Sequence, residues 1–138
     1  MIEEIVNELS KNEYFKNEII GKPATDDDLK LCIKRLTEMG FKIFSNEYED
    51  FLKKYNGFYP FFGTKKIKAP HSDYIHNDII SANEEYKDKF EDCVLIGKGE
   101  DYYVYNIIKK HYEIRDRYCY DVNEKFDTFE LLFKNIKL

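Results

Sequence analysis

A chain of 138 residues holds about one domain's worth of core, and at 43% hydrophobic, 17% aromatic and 36% charged residues it is too apolar to stay disordered. A formal charge of −5 disfavours general affinity for nucleic acid, which needs a concentrated basic field, and suits a basic partner instead. No apolar run nears the roughly 20 residues that span a bilayer, Met1-Ile2-Glu3-Glu4 lacks the basic start of a signal peptide, and three scattered cysteines without a CxxC pair fit a reducing compartment.

The expectation is therefore one cytoplasmic domain spanning 1–138, with 1–20 as an N-terminal helical extension and no membrane partner. Twelve Tyr and eleven Phe, without Trp, predict a core built largely of aromatic rings. Ile2, Ile5, Val6 and Leu9 fall on one helical face, so the first dozen residues predict a short amphipathic helix. Thr25 before Asp26-Asp27-Asp28 caps a second helix, with Leu29, Cys32, Ile33, Leu36 and Met39 inward and Gly40 as its left-handed stop. After an apolar link, Phe41 to Phe44, Ser45 or Asn46 caps a third helix that turns Tyr48, Phe51, Leu52 and Tyr55 inward and ends at Asn56-Gly57.

Phe58-Tyr59-Pro60-Phe61-Phe62-Gly63 reads as an edge strand with a turn, because proline cannot donate to a central ladder. Lys65 to Lys68 and Ala69 to Ser72 read as solvated loop. Asp78 to Phe90 has helical character, with Ile79, Ile80 and Tyr86 inward. The period then shortens. Cys93 to Ile96 and Tyr102 to Ile108 read as strands joined by the turn Gly97 to Asp101, and His111 to Arg115 as a third antiparallel strand with Tyr112 and Ile114 on one face. Asp127-Thr128-Phe129-Glu130 resembles a capping box opening a last helix, whose Phe129, Leu132, Phe133 and Ile136 dock on the sheet. The fold class predicted is α+β, an antiparallel sheet with helices packed against it.

Four stretches in this order resemble the SUKH superfamily, the Smi/Knr-type proteins, and most closely its YrhA-like bacterial members. They are Ala24 to Leu29, Tyr48 to Phe58, Val94 to Gly97 running into Tyr103 to Asn106, and Phe126 to Leu132. The likeness covers nearly all the chain after Ile20, and its signature positions are Tyr48, Phe51, Leu52, Asn56, Gly57, Gly97, Tyr105 and Phe129. Family members often carry Leu-Pro just ahead of the helix tyrosine; this chain has Ser45-Asn46-Glu47, which still caps a helix. The resemblance implies a fold without a shared catalytic constellation and a role in binding protein. Many bacterial members resemble immunity proteins that neutralise toxins, often nucleases, and some eukaryotic relatives act as scaffolds in cell-wall regulation.

The residues themselves offer no catalytic motif. Gly97-Lys98-Gly99 lacks the third glycine and the following helix of a dinucleotide loop, and no Walker loop or Gly-x-Ser-x-Gly elbow occurs. His71, His76 and His111 do not pair with the cysteines at zinc-site spacing, and Cys32 and Cys93 read as small apolar core residues. Glu100-Asp101 with Glu113, Asp116 and Asp121 offer carboxylates for acid–base work only if folding gathers them; solvated surface is the plainer reading. Alternation assigns about half of Tyr102, Tyr103, Tyr105 and Tyr112 to an exposed sheet face, where tyrosine suits a protein interface and, without basic neighbours, not RNA.

No catalytic residue, cofactor or metal is therefore expected. The expected partner surface is Glu84, Glu85, Asp88, Glu91, Asp92, Glu100, Asp101 and Tyr103, the carboxylates steering a basic toxin toward aromatic anchors. An intracellular scaffold and a small hydrolase or ligand-binding domain are the alternative readings.

Overall fold

A computed structural model of the chain describes residues 2–11, 22–41, 43–68 and 75–136. The side chain of Leu9, residues 12–20 of the expected N-terminal extension, Lys42 of the apolar link, and the 69–74 stretch with His71 lie outside the described residues. Five helices, α1 (Ile2–Ser10), α2 (Asp26–Glu38), α3 (Asn46–Lys54), α4 (Ile79–Tyr86) and α5 (Phe129–Asn135), accompany a two-stranded ladder, β1 (Ile67–Lys68) with β2 (Ile75–His76). The main sheet runs β3 (Cys93–Lys98), β4 (Tyr102–Asn106), β5 (His111–Arg115) and β6 (Val122–Phe126), each antiparallel to the next. The fold is the expected α+β mixture.

Helices α2 to α5 each start where a short polar side chain accepts a backbone N–H. Thr25 caps α2 with a reciprocal bond from Asp28, and Ser45 caps α3 by accepting from Tyr48 N. Asp78 caps α4 through Ser81 N at 2.8 Å. At α5 the cap is Thr128, accepting from Leu131 N at 3.2 Å, so the expected box beginning at Asp127 is displaced by one residue and Glu130 takes no part in capping. Gly40 and Gly57 both stand at φ 103°, where a side chain would be strained, and the chain leaves α2 and α3 there as expected.

Aromatic rings fill the space between α3, α5 and the sheet. Tyr48, Phe51, Phe61, Phe129 and Phe133 are buried, with neighbouring ring centroids 5.0–6.5 Å apart in mainly edge-to-face contacts. The buried Tyr48 hydroxyl reaches the carbonyls of Phe62 and, at 3.0 Å, Ile96, and so joins α3 to the start of the sheet.

Five elements differ from expectation. The 58–63 segment is a buried tight turn that touches the sheet through one isolated bridge, Phe61 with Gly97, and is no edge strand. Ile67 and Lys68 form β1 and Ile67 is buried, because β2 arrives from outside the local sequence to pair with them. The turn between β3 and β4 starts only after Lys98, and β4 stops at Asn106, short of the expected Ile108. A fourth strand, β6, follows the three expected; its residues are mostly exposed and give no apolar alternation. Finally, Tyr102, Tyr103, Tyr105 and Tyr112 are all buried, because helices or loops cover both sheet faces. Tyr103 and Tyr112 pack toward Phe61 and Phe129, while Tyr102 packs against Tyr86, Phe90 and Tyr120.

Candidate protein-docking groove

The β3 edge of the main sheet is covered by neighbouring chain. At β3 the Asn83 side chain imitates a neighbouring strand, accepting from Leu95 N at 2.8 Å and donating to Leu95 O at 2.9 Å. Phe62 N donates to Ile96 O and Lys98 N to Pro60 O beside it. This edge is closed, and the aromatic core lies behind it. The signature positions serve this scaffold. Phe51, Leu52, Tyr105 and Phe129 are buried, and Asn56 ties Thr64 by two 2.7 Å bonds. A Cβ on Gly97 would meet Phe61, Pro60 and Tyr103 at 3.0 Å, so only glycine lets the turn approach.

At the end of the sheet where β3 starts and β4 stops, three segments meet around a groove of about 590 Å³. Met39, Gly40, Phe41 and Ile43 leave the end of α2; Lys87, Asp88, Phe90, Glu91 and Asp92 follow α4; Ile107 and Ile108 come from the β4–β5 hairpin. Local bonding explains their placement. Phe41 N returns to Leu36 O at 2.9 Å, turning the chain out of α2. Asp92 sits at φ 59°, and its carbonyl accepts from Ile107 N at 2.8 Å, drawing the hairpin against the start of β3. Asn106 Oδ1 accepts from Ile108 N at 3.1 Å and Lys109 N at 3.0 Å, fixing the hairpin turn.

Ile43 and Ile108 are 52% and 69% exposed. Asp88, Glu91 and Asp92 line the same groove and form no ion pair among the described residues. The structure gathers these three expected partner residues and separates the rest. Glu84 is exposed but engaged by Arg35 of α2 at 3.2 Å. Glu85 is exposed on α4, and Glu100 and Asp101 lie in the β3–β4 turn, none of them lining the groove. Tyr103, expected as an exposed anchor, is 1% exposed and belongs to the core. The apolar members, Ile43 and Ile108, were missed; their only sequence signal is isoleucine beside a turn.

The chain matches no protein-family model, no curated protein and no solved structure.

Next to the β4–β5 hairpin lies a polar cluster centred on Glu113, which is expected from its position between Tyr112 and Ile114 to be solvated. Glu113 is 1% exposed, because the face of β5 opposite Tyr112 and Ile114 is also covered. Its carboxylate accepts from His111 Nε2 at 2.5 Å, Arg115 Nε at 2.8 Å and Asn106 Nδ2 at 3.3 Å. Burial pushes the Glu113 carboxyl up, but these bonds and the guanidinium charge overcome it, and the group titrates below the usual glutamate range. Asp116 and Asp121 do not join it; they close the β5–β6 turn, Asp116 accepting from Tyr118 and Cys119 N.

Cys93 stands 3.9 Å from Glu113, and burial with that negative neighbour pushes its thiol up to about 12, the wrong direction for a nucleophile. Burial likewise raises Cys32 to about 12. Among the described residues no three His, Cys, Asp or Glu side chains are grouped to hold a metal ion, and no helix is long and apolar enough to cross a membrane.

A second groove of about 430 Å³ lies under α1, between α3 and α5. Its carboxylates are largely occupied. Glu47 accepts from Phe129 N at 3.0 Å, and Glu3 pairs with Lys54. The first groove is the one whose charges remain available.

Proposed function

We propose that this chain is a cytoplasmic, non-catalytic protein-binding domain of SUKH type, an immunity protein that binds and neutralises a toxin such as a nuclease. The observation that carries the reading is an apolar groove rimmed by Asp88, Glu91 and Asp92, three carboxylates that form no ion pair among the described residues. Such a surface combines the two needs of a tight, fast inhibitor: apolar area that excludes water and a field that steers a basic partner into place. Among the described residues the ionisable lining is carboxylate and one lysine, with no histidine, cysteine or hydroxyl to pair as nucleophile and base.

The test is native capture of the tagged protein from its own cells, followed by activity assays of whatever co-purifies in stoichiometric amount. A co-purifying toxin or nuclease that regains activity when the domain is stripped away is the expected result. A partner whose activity is the same with and without the domain overturns neutralisation, and a multi-protein regulatory complex would assign a scaffold role.

A further inference from the structure

The floor and rim of the groove differ in character, and the difference selects an occupant. Building on the protein-binding reading, we propose that the groove seats a basic amphipathic segment of the partner. One apolar side chain enters between Ile43 and Ile108, while flanking lysine or arginine side chains meet Asp88, Glu91 and Asp92.

Other occupants fit less well. An acidic segment or a nucleic acid would meet three like charges within one Debye length, about 10 Å at ordinary salt. A small apolar ligand would leave those carboxylates partly dehydrated and unpaired, which is costly for ionised groups. A second copy joined through the same patch would bring Asp88, Glu91 and Asp92 against their own counterparts, since a two-fold interface sets one surface against itself. A basic amphipathic segment avoids all three penalties, and laying an apolar face into a groove with charged flanks is a recurrent mode of recognition. The hairpin needs no rearrangement, because Asn106 and Asp92 already hold Ile107 and Ile108 in place.

The chain contains no tryptophan, so a Leu/Lys amphipathic peptide carrying one tryptophan can be titrated into the full chain by fluorescence. Saturable binding is expected, with a Leu/Glu counterpart showing none. Ile108→Asp and the triple variant Asp88→Lys, Glu91→Lys, Asp92→Lys should each weaken it at least about tenfold, a change of about 1.4 kcal/mol. A control, Glu100→Lys, Asp121→Lys, Glu124→Lys, makes the same change of charge at exposed sites outside the groove and should alter affinity only a few-fold.

Equal weakening by both triple variants would overturn the proposal, reducing the effect to net charge. A dimer seen in sedimentation and dissolved by Ile108→Asp would overturn it in favour of a second copy. With a toxin in hand, loss of inhibition in Ile108→Asp supports the groove. Unchanged inhibition overturns the groove while leaving the immunity reading in place.

Discussion

Glu113 and His76 are each 1% exposed, and they are kept in different charge states. Glu113 sits in the sheet beside an arginine, a histidine and an asparagine, and stays ionised because each oxygen is used. His76, on β2, stacks on Phe62 with ring centroids 4.7 Å apart and meets Tyr59 edge-on at 4.9 Å. Its Nε2–H donates to Pro60 O at 2.8 Å. Burial pushes its pKa down to about 4, with Lys98 adding to the effect and the Pro60 bond opposing it, so the ring stays neutral. The difference teaches that burial alone does not decide charge. A carboxylate among donors keeps its charge, whereas an imidazole among rings gives its charge up.

The strongest way to break the contrast is to remove the carboxylate. Glu113→Ala leaves Arg115 and His111 facing a buried space without an anion, and removing one member of a buried pair costs about 3–5 kcal/mol. Urea unfolding should show that loss. Glu113→Gln, which keeps the size and one acceptor, should cost less. If Ala and Gln are equally mild, the cluster contributes shape and not charge balance.

The second prediction concerns His76. Its folded pKa lies below the ordinary 6.5, so the unfolded chain binds the extra proton first. The stabilising contribution is therefore complete above pH 6.5 and is lost as pH falls from 6.5 to about 4. At about 1.4 kcal/mol per pH unit the loss is about 3 kcal/mol. Stability measured across that window should fall in the native chain and flatten in His76→Gln, which can still donate to Pro60. An unchanged slope in the variant would place the acid sensitivity elsewhere.

Neither group was legible as buried in the sequence. Glu113 falls between Tyr112 and Ile114, and two-residue alternation sends it to water unless the second face of the sheet is covered too. On that face Phe90 packs over Tyr102 and Cys93 of β3 stands beside Glu113, both from about twenty residues upstream of Glu113. His76 lies in a two-residue strand whose pairing no local period announces. The helices were readable because a cap and an apolar stripe are local: Thr25, Ser45 and the Phe129 face stand as expected. The same limit governs the groove. Its acids, Asp88, Glu91 and Asp92, were visible as charge, but nothing in a linear reading brings Ile43 to Ile108, and nothing warned that Tyr103 is inside.

The smallest effect sharpens the comparison most, because it asks which donor holds Glu113 in its charged state. His111 is part-exposed, with 16% of its side chain open, and makes a single bond to Glu113 Oε2, so His111→Ala should cost about 1–2 kcal/mol at neutral pH. Its informative consequence lies at acid pH. Glu113 titrates below 4.5, so its contribution is present above that value and disappears as pH falls through the folded pKa. Without the imidazole the carboxyl keeps its burial penalty and loses a donor, and its pKa must rise. The acid-unfolding midpoint of His111→Ala should therefore move upward, beyond what its neutral-pH destabilisation alone produces. The His76 window between pH 6.5 and 4 should keep its slope, because His76 lies in a separate cluster against Pro60 and Phe62. A midpoint that does not move would mean that Arg115 and Asn106 alone keep Glu113 ionised, and that His111 is held by the carboxylate without holding it in return.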